Sequence, residues 1–318
     1  MQISVIGCGR WGSFIAWYLN FVSHHVTLYG RADSANMRRF IETRQNDYLA
    51  LPEAIALSTD LSCCDNAEVI VVSISSQNLA ALCAELKERK ISDKTLVLCM
   101  KGMDIKTGRR LSEVAGDFLG DKNEIAVWLG PGHVQEFYKG VPNCMVIDSS
   151  STAVKSRLVD AFSSELIRFY YGTDLIGNEI GAAAKNIIGI AAGMLDGFEL
   201  STIKGALMSR GTHEISKLIE ALGGCGISAY GLCHLGDYEA TVFSAHSQNR
   251  SFGEAWVKGG TYDKLAEGYF AVKAFINIAR EKNVELPICS AVYAILYENA
   301  DPKAELSALF TRSIKNEF

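Results

Sequence analysis

The chain is short of proline, of long apolar runs and of positive charge, and each shortage excludes something. Five prolines in 318 residues, with no extended polar tract, argue against a disordered or proline-rich scaffold. The longest apolar stretches, such as 187–195, fall short of the roughly 20 residues that a bilayer-spanning helix needs, so no membrane insertion is expected. Lysine and arginine number 31 against 36 aspartates and glutamates, a net charge of −5. That leaves no bulk basic surface with which to hold a nucleic acid, although local charge can still favour a small anionic ligand. Paired cysteine spacing is also missing. The nine cysteines (Cys8, Cys63, Cys64, Cys83, Cys99, Cys144, Cys225, Cys233 and Cys289) are odd in number, and several lie inside apolar runs. They read as free thiols in a reducing compartment, with no spacing suited to a metal site. The opening MQISVIGCG lacks the basic and apolar regions of a secretory leader. A soluble cytoplasmic protein is the expectation.

The composition, 48% hydrophobic and 21% charged, is that of a globular protein with a sizeable core, and the length suits about two domains. The first half alternates. Short β-rich runs at 3–7, 25–29, 68–74, 95–100, 124–130, 143–147 and 166–171 are separated in many places by helix-like segments such as 78–89 and 109–119. Near-continuous apolar strands alternating with helices predict a Rossmann-type, doubly wound α/β domain with a mostly parallel sheet. Beyond about residue 172 the pattern becomes helical throughout. We therefore expect an α/β domain over 1–173 and an all-α domain over 174–318, packed tightly with a cleft between them; the residues below make the first the dinucleotide-binding domain and the second the substrate and catalytic domain.

The first strand runs directly into Gly7-Cys8-Gly9-Arg10-Trp11-Gly12 and then a helix. This is G-x-G-x-x-G in its required strand–turn–helix setting. Gly7 allows the tight turn, Gly9 lets backbone approach a pyrophosphate held on the helix N-terminus, and Gly12 lets helix and strand pack closely. The second strand ends Leu28-Tyr29-Gly30-Arg31, where an NAD site usually carries an acid for the ribose 2′-hydroxyl. With no carboxylate before Asp33, and Arg31 available to a 2′-phosphate, NADP is expected in preference to NAD.

Three features of the second half and its surroundings are hard to explain as packing. Lys185 stands in the middle of a helix, 181–193, that is apolar or small nearly all round; a buried ammonium must be paired or have a shifted pKa, and a lysine brought toward neutrality is a usable acid/base. The small residues before it would let a flat ring approach. Gly236-Asp237 with Thr241, followed by Ser247-Gln248-Asn249-Arg250, supplies a carboxylate and a dense set of donors. Lys101, in Met100-Lys101-Gly102 at a strand's carboxyl end, lies where open α/β sheets bind ligands.

These residues carry a resemblance. The chain resembles the bacterial NAD(P)-dependent glycerol-3-phosphate dehydrogenases from end to end. The match includes Gly7–Gly12 with Trp11, Lys101-Gly102, Gly130-Pro131 with Glu136, and 179–186 with Lys185 and Asn186. It continues through Arg210-Gly211, Gly236-Asp237, Thr241, Asn249-Arg250, Phe252-Gly253, Glu267-Gly268 and Leu286-Pro287. The resemblance implies hydride transfer between a nicotinamide and C2 of dihydroxyacetone phosphate, with sn-glycerol 3-phosphate as product. It makes Lys185 the proton donor/acceptor, Lys101 a lysine touching substrate beside the nicotinamide, and Asp237 the partner of that lysine network. Ser247 and Asn249 become ligands of the substrate phosphate, with Gly130, Gly132, Thr241 and Gln248 lining the substrate. Arg10, Trp11, Arg31 and Glu267 become cofactor contacts. A homodimer is possible.

The departures cluster at the substrate end. Gln248 stands where the family has arginine. Gly-Pro-Ser-Phe-Ala is here Gly130-Pro131-Gly132-His133-Val134, which loses a serine and puts a histidine at an aromatic position. Leu200-Ser201-Thr202 and Ile74-Ser75-Ser76-Gln77 also depart. Losing a bidentate arginine weakens phosphate binding unless another group compensates, and Arg250 is two residues away. A reductase of the same mechanism acting on a different small ketone, phosphorylated or of phosphonate type, and a non-catalytic dinucleotide-binding sensor, are the alternatives.

Overall fold

The computed structural model describes residues 1–120, 122–313 and 317. The strands are β1 (Gln2–Ile6), β2 (His25–Tyr29), β3 (Ala56–Ser58), β4 (Val69–Val72), β5 (Thr95–Leu98), β6 (Glu124–Leu129), β7 (Asn143–Ser149) and β8 (Ile167–Tyr171). They form one sheet in the order β3-β2-β1-β4-β5-β6-β7-β8, parallel except where β6 meets β7. The helices interleaved with them are α1 (Arg10–Phe21), α2 (Ala35–Thr43), α3 (Leu79–Glu88), α4 (Leu111–Leu119), α5 (Val134–Tyr138) and α6 (Thr152–Phe162). The expected α/β domain is present. The sequence reading missed β3, a three-residue edge strand whose Ala-Leu-Ser carries almost no β pattern of its own.

The period of two along each strand divides the core. Ile3 and Val5, Val69 and Val71, Val97, and Ala126 and Trp128 pack on one face with Phe14, Tyr18, Phe137 and Phe162 of α1, α5 and α6. Ile6, Ile70 and Val72, Leu96 and Leu98, and Val127 and Leu129 pack on the other with Leu82, Leu86 and Ala115 of α3 and α4. Burial on both faces is why these strands read as continuous apolar runs.

Beyond Tyr171 the described residues form no strand. The helices are α7 (Leu175–Gly197), α8 (Lys204–Ala221), α9 (Gln248–Val257), α10 (Glu267–Lys282), α11 (Pro287–Tyr297) and α12 (Pro302–Ala308), with a π-helical turn at Glu239–Phe243. The long α7 is the axis of this half, buried over most of its length. Its Glu179 reaches the sheet side. It accepts hydrogen bonds from Arg110 Nη1 (2.7 Å), Ser112 N (2.9 Å) and Ser112 Oγ (2.5 Å) at the start of α4. Among the described residues no helix is long and apolar enough to cross a membrane.

Candidate active site

The sheet's strand order reverses at β1, whose neighbours are β2 and β4. Ligands of open α/β sheets bind at such a switch point, beyond the strands' carboxyl ends. Gly7 follows β1 with φ +114°, and a Cβ there would lie 2.1 Å from the Ser73 carbonyl oxygen after β4. Only glycine fits that turn. A Cβ on Gly12 would lie 1.9 Å from the Gly7 carbonyl oxygen, whereas one on Gly9 would meet nothing within 4 Å. Gly9 is the N-cap of α1, and it supplies no side chain to the helix's first N–H groups, with no acid in the first turn. Space above Gly9 and unsatisfied donors behind it form a cradle for an anion. These residues fit a dinucleotide pyrophosphate.

Facing this loop, three charged side chains converge. Lys101 leaves the end of β5, Lys185 comes from the middle of α7, and Asp237 precedes the π-helical turn. Asp237 Oδ2 lies 2.7 Å from Lys101 Nζ and 2.9 Å from Lys185 Nζ. Lys101 also donates to the Gly130 carbonyl after β6 (2.5 Å), and Lys185 to Thr241 Oγ1 (2.8 Å). Burial pulls the Lys185 ammonium down to about 8; Asp237 opposes that pull and Lys101 adds to it. A lysine so placed can both give and take a proton near neutral pH.

The glycines of α7 let other segments of the chain approach closely. A Cβ on Gly181 would strike His234 Cβ at 2.9 Å, one on Gly189 would strike Thr241 Cγ2 at 2.7 Å, and one on Gly193 would strike the Arg250 carbonyl oxygen at 1.9 Å. Close approach of these segments is what carries Thr241 and Asp237 to Lys185.

Asn249 lies one step back from the charges. Its Nδ2 donates to Asn186 Oδ1 (3.0 Å), its Oδ1 accepts from Gly268 N (2.9 Å), and Asn186 Nδ2 donates to the Lys101 carbonyl (2.7 Å). In the sequence Asn186 stands out only as part of a motif; in the structure it is the link between Asn249 and the Lys101 carbonyl. Glu267 bonds to Ser76, accepting from its backbone N (3.2 Å) and its hydroxyl. It thus joins the start of α10 to the loop after β4. Ser247 caps α9, accepting from Arg250 N at 3.3 Å. Gln248 is bound internally: its Oε1 accepts from Tyr262 OH (2.6 Å) and its Nε2 donates to the His246 carbonyl (3.5 Å). Arg250 is not available to compensate for it, because its Nε lies 2.6 Å from Asp196 Oδ2, which Lys204 shares at 2.6 Å. Arg31 stands apart on the rim beyond β2, highly exposed and 3.2 Å from Asp33 Oδ1.

Gly132 has φ +145°, and a Cβ would enter the Phe137 ring at 2.1 Å, so no serine fits this backbone. Its neighbour His133 is buried with Nε2 unpartnered, as are Trp11 Nε1 and Asp237 Oδ1. Burial, with Lys185 and Arg10 adding to it, pulls the His133 ring down to about 4, leaving it neutral. Orphaned buried polar atoms are rare in native proteins. These atoms, with Gln135 Oε1 the fourth of their kind, fit partners that a polar ligand would supply. Among the described residues no cluster suited to a metal ion occurs.

A glycine cradle at the switch point, opposed by a buried lysine pair on a shared carboxylate, defines an NAD(P)-dependent oxidoreductase of Rossmann type with a helical second half. The comparisons with known proteins give the family. Residues 2–155 match the NAD-dependent glycerol-3-phosphate dehydrogenase N-terminus, and residues 174–307 match its C-terminus. The chain belongs to this family. It is 34% identical over 331 aligned positions to "Glycerol-3-phosphate dehydrogenase [NAD(P)+]" of Thermoanaerobacter sp. (strain X514), covering 100% of this chain and 99% of the relative. It is equally identical to the enzyme of that name from Pelodictyon phaeoclathratiforme, at the same coverage. Among solved structures, glycerol-3-phosphate dehydrogenase from Coxiella burnetii superimposes with a TM-score of 0.90 at 26% identity, covering 98% of both chains.

Proposed function

We propose that the chain reduces dihydroxyacetone phosphate to sn-glycerol 3-phosphate, with Lys185 giving the proton to the carbonyl oxygen. When bound, NADPH supplies the hydride. The observation that carries this reading is the shared Asp237 carboxylate between Lys185 and Lys101. It keeps two cations in a buried site and holds Lys185 near the pH at which it can exchange a proton. Lys101, fixed between Gly130 and Asp237, orients the substrate oxygen beside the nicotinamide, and Thr241 holds the Lys185 amine in place. Gly7, Gly9, Trp11, Gly12 and Arg31 would take the cofactor, with Glu267 shaping its pocket through Ser76. Gly130, Gly132, Ser247, Gln248 and Asn249 would line the substrate. In this reading the cofactor is held by 1–173, and 174–318 closes over the substrate. The chain works in the cytoplasm, where its nine unpaired cysteines stay reduced, and a homodimer is its proposed assembly.

The second reading, a different small ketone as substrate, is favoured by the internally bound Gln248 and by the Gly132-His133 pair. Turnover of a ketone panel at fixed NADPH separates the two. Dihydroxyacetone phosphate should give the highest kcat/KM; any better ketone on the panel, phosphorylated or not, would overturn the first reading.

A further inference from the structure

A phosphate carries nearly two negative charges at neutral pH, and the cations nearest the site are mostly committed. Lys101 and Lys185 share Asp237, while Arg250 and Lys204 share Asp196. Arg10 is different. It starts in the dinucleotide loop, yet its guanidinium crosses the cleft. Nη1 lies 3.5 Å from the His246 carbonyl oxygen, the same oxygen that Gln248 Nε2 approaches at 3.5 Å. The guanidinium carbon lies over the Tyr48 ring, 5.8 Å from its centroid. Among the described residues no carboxylate pairs with it.

The place it reaches has the features of an anion subsite. The N-terminus of α9 begins at Gln248, capped by Ser247, and presents N–H groups and the positive end of the helix dipole. His133 packs edge-on against His246 at 5.6 Å between ring centroids, and its Nε2 is buried without a partner. A neutral imidazole there provides a directional contact, while Gln248 provides no charge.

Resting on the dihydroxyacetone phosphate reading, we propose that Arg10 is the specificity-determining cation for the substrate's phosphate, delivered from the cofactor loop across the cleft to the N-terminus of α9. A guanidinium at position 10 and one at position 248 would then serve the same anion from opposite walls. Arg10 meets the phosphate with a planar fork of donors, and His133 orients it.

The test is steady-state kinetics with NADPH on the wild type, Arg10→Ser, Gln248→Arg and the double variant Arg10→Ser/Gln248→Arg. Arg10→Ser should raise KM for dihydroxyacetone phosphate by about tenfold or more, the usual scale for a lost charge-assisted contact, and leave KM for NADPH nearly unchanged. Gln248→Arg should restore most of the lost affinity in the Arg10→Ser background. Inhibition by inorganic phosphate, competitive with substrate, should weaken and recover in parallel. If KM for NADPH rises as much as that for substrate, Arg10 serves the cofactor and the proposal falls. It also falls if the double variant is as weak as Arg10→Ser. A wild type that does not turn over dihydroxyacetone phosphate overturns the substrate reading alone. Calorimetric binding of inorganic phosphate to the NADPH-loaded protein then reads Arg10 directly, and equal affinity in wild type and Arg10→Ser would overturn its assignment.

Discussion

Replacing Lys185 with methionine removes one ammonium from the centre of the site while keeping most of its volume. Asp237 is not stranded by the change, because Lys101 Nζ remains 2.7 Å from its Oδ2. The cost of leaving a buried charge alone, about 3–5 kcal/mol, is therefore avoided, and the variant should fold and bind NADPH. Turnover is another matter. A positioned general acid contributes about 10²–10⁴-fold, or about 3–5 kcal/mol of barrier, and kcat should fall by that factor while KM for NADPH holds. The pH profile adds a signature. Burial brings Lys185 from 10.5 down to about 8, so the ammonium prevails below that pH and the free amine above it. With Lys185 as the proposed proton donor, reduction needs the ammonium. Its kcat should be flat up to about pH 8 and then fall, whereas oxidation of the alcohol should rise toward the same pH and level off. Methionine should abolish both limbs. NADPH consumption across pH, with cofactor binding by fluorescence and Tm as controls for folding, measures all of this. A methionine variant that keeps near-wild-type kcat and the alkaline limb would remove Lys185 from proton transfer.

Arg31→Ala should raise KM for NADPH by roughly 10- to 150-fold, the range of a charge-assisted contact to phosphate, and leave KM for NADH alone; equal losses would mean that Arg31 does not read the 2′-phosphate. Gly9→Ala places its methyl in open space, so Tm should hold while cofactor binding collapses. Gly12→Ala drives a Cβ into the Gly7 carbonyl and should lower Tm itself, a contrast that thermal melts with and without NADPH will show. Glu214 is buried, accepting from Ile288 N (2.8 Å) and Cys289 N (2.9 Å) at the start of α11, and burial pushes its carboxyl from 4.5 up to about 7. A raised carboxyl pKa favours the folded state at low pH, and that advantage is lost as pH climbs from about 4.5 to 7, at about 1.4 kcal/mol per unit. The stability difference between wild type and Glu214→Gln, from urea midpoints, should therefore move in favour of the variant by about 3 kcal/mol across that window; a constant difference would refute the assignment.

The alternation of apolar runs with helical segments, and the Gly7–Gly12 turn placed between strand and helix, are local patterns. Local patterns were enough to read the α/β architecture, the cofactor class and the buried lysine of α7 from the residues in order. Lys101 was legible as a candidate from its place at a strand's carboxyl end, and Asp237 and Thr241 from the dense set of polar groups around them. What the order of residues does not carry is distance across the fold. Sequence proximity suggested Arg250 as the replacement for the missing arginine, but Asp196, 54 residues away, claims it. Arg10 reads as a cofactor residue from its place in the loop, yet it ends beside His246, 236 residues on. Gly132 reads as a lost serine; its φ and the Phe137 ring make it a backbone requirement. Asn249 reads as a ligand from its motif, and only the fold shows that it also bonds Asn186, which holds the Lys101 carbonyl. The sequence by itself determined which elements form and which chemistry is available, because propensity, burial period and turn geometry act over a few residues. The tertiary structure alone decided which charges are spent on each other and which remain for a ligand, because that depends on pairs brought within about 3 Å by the packing of α9 on α7 and of α7 against the sheet.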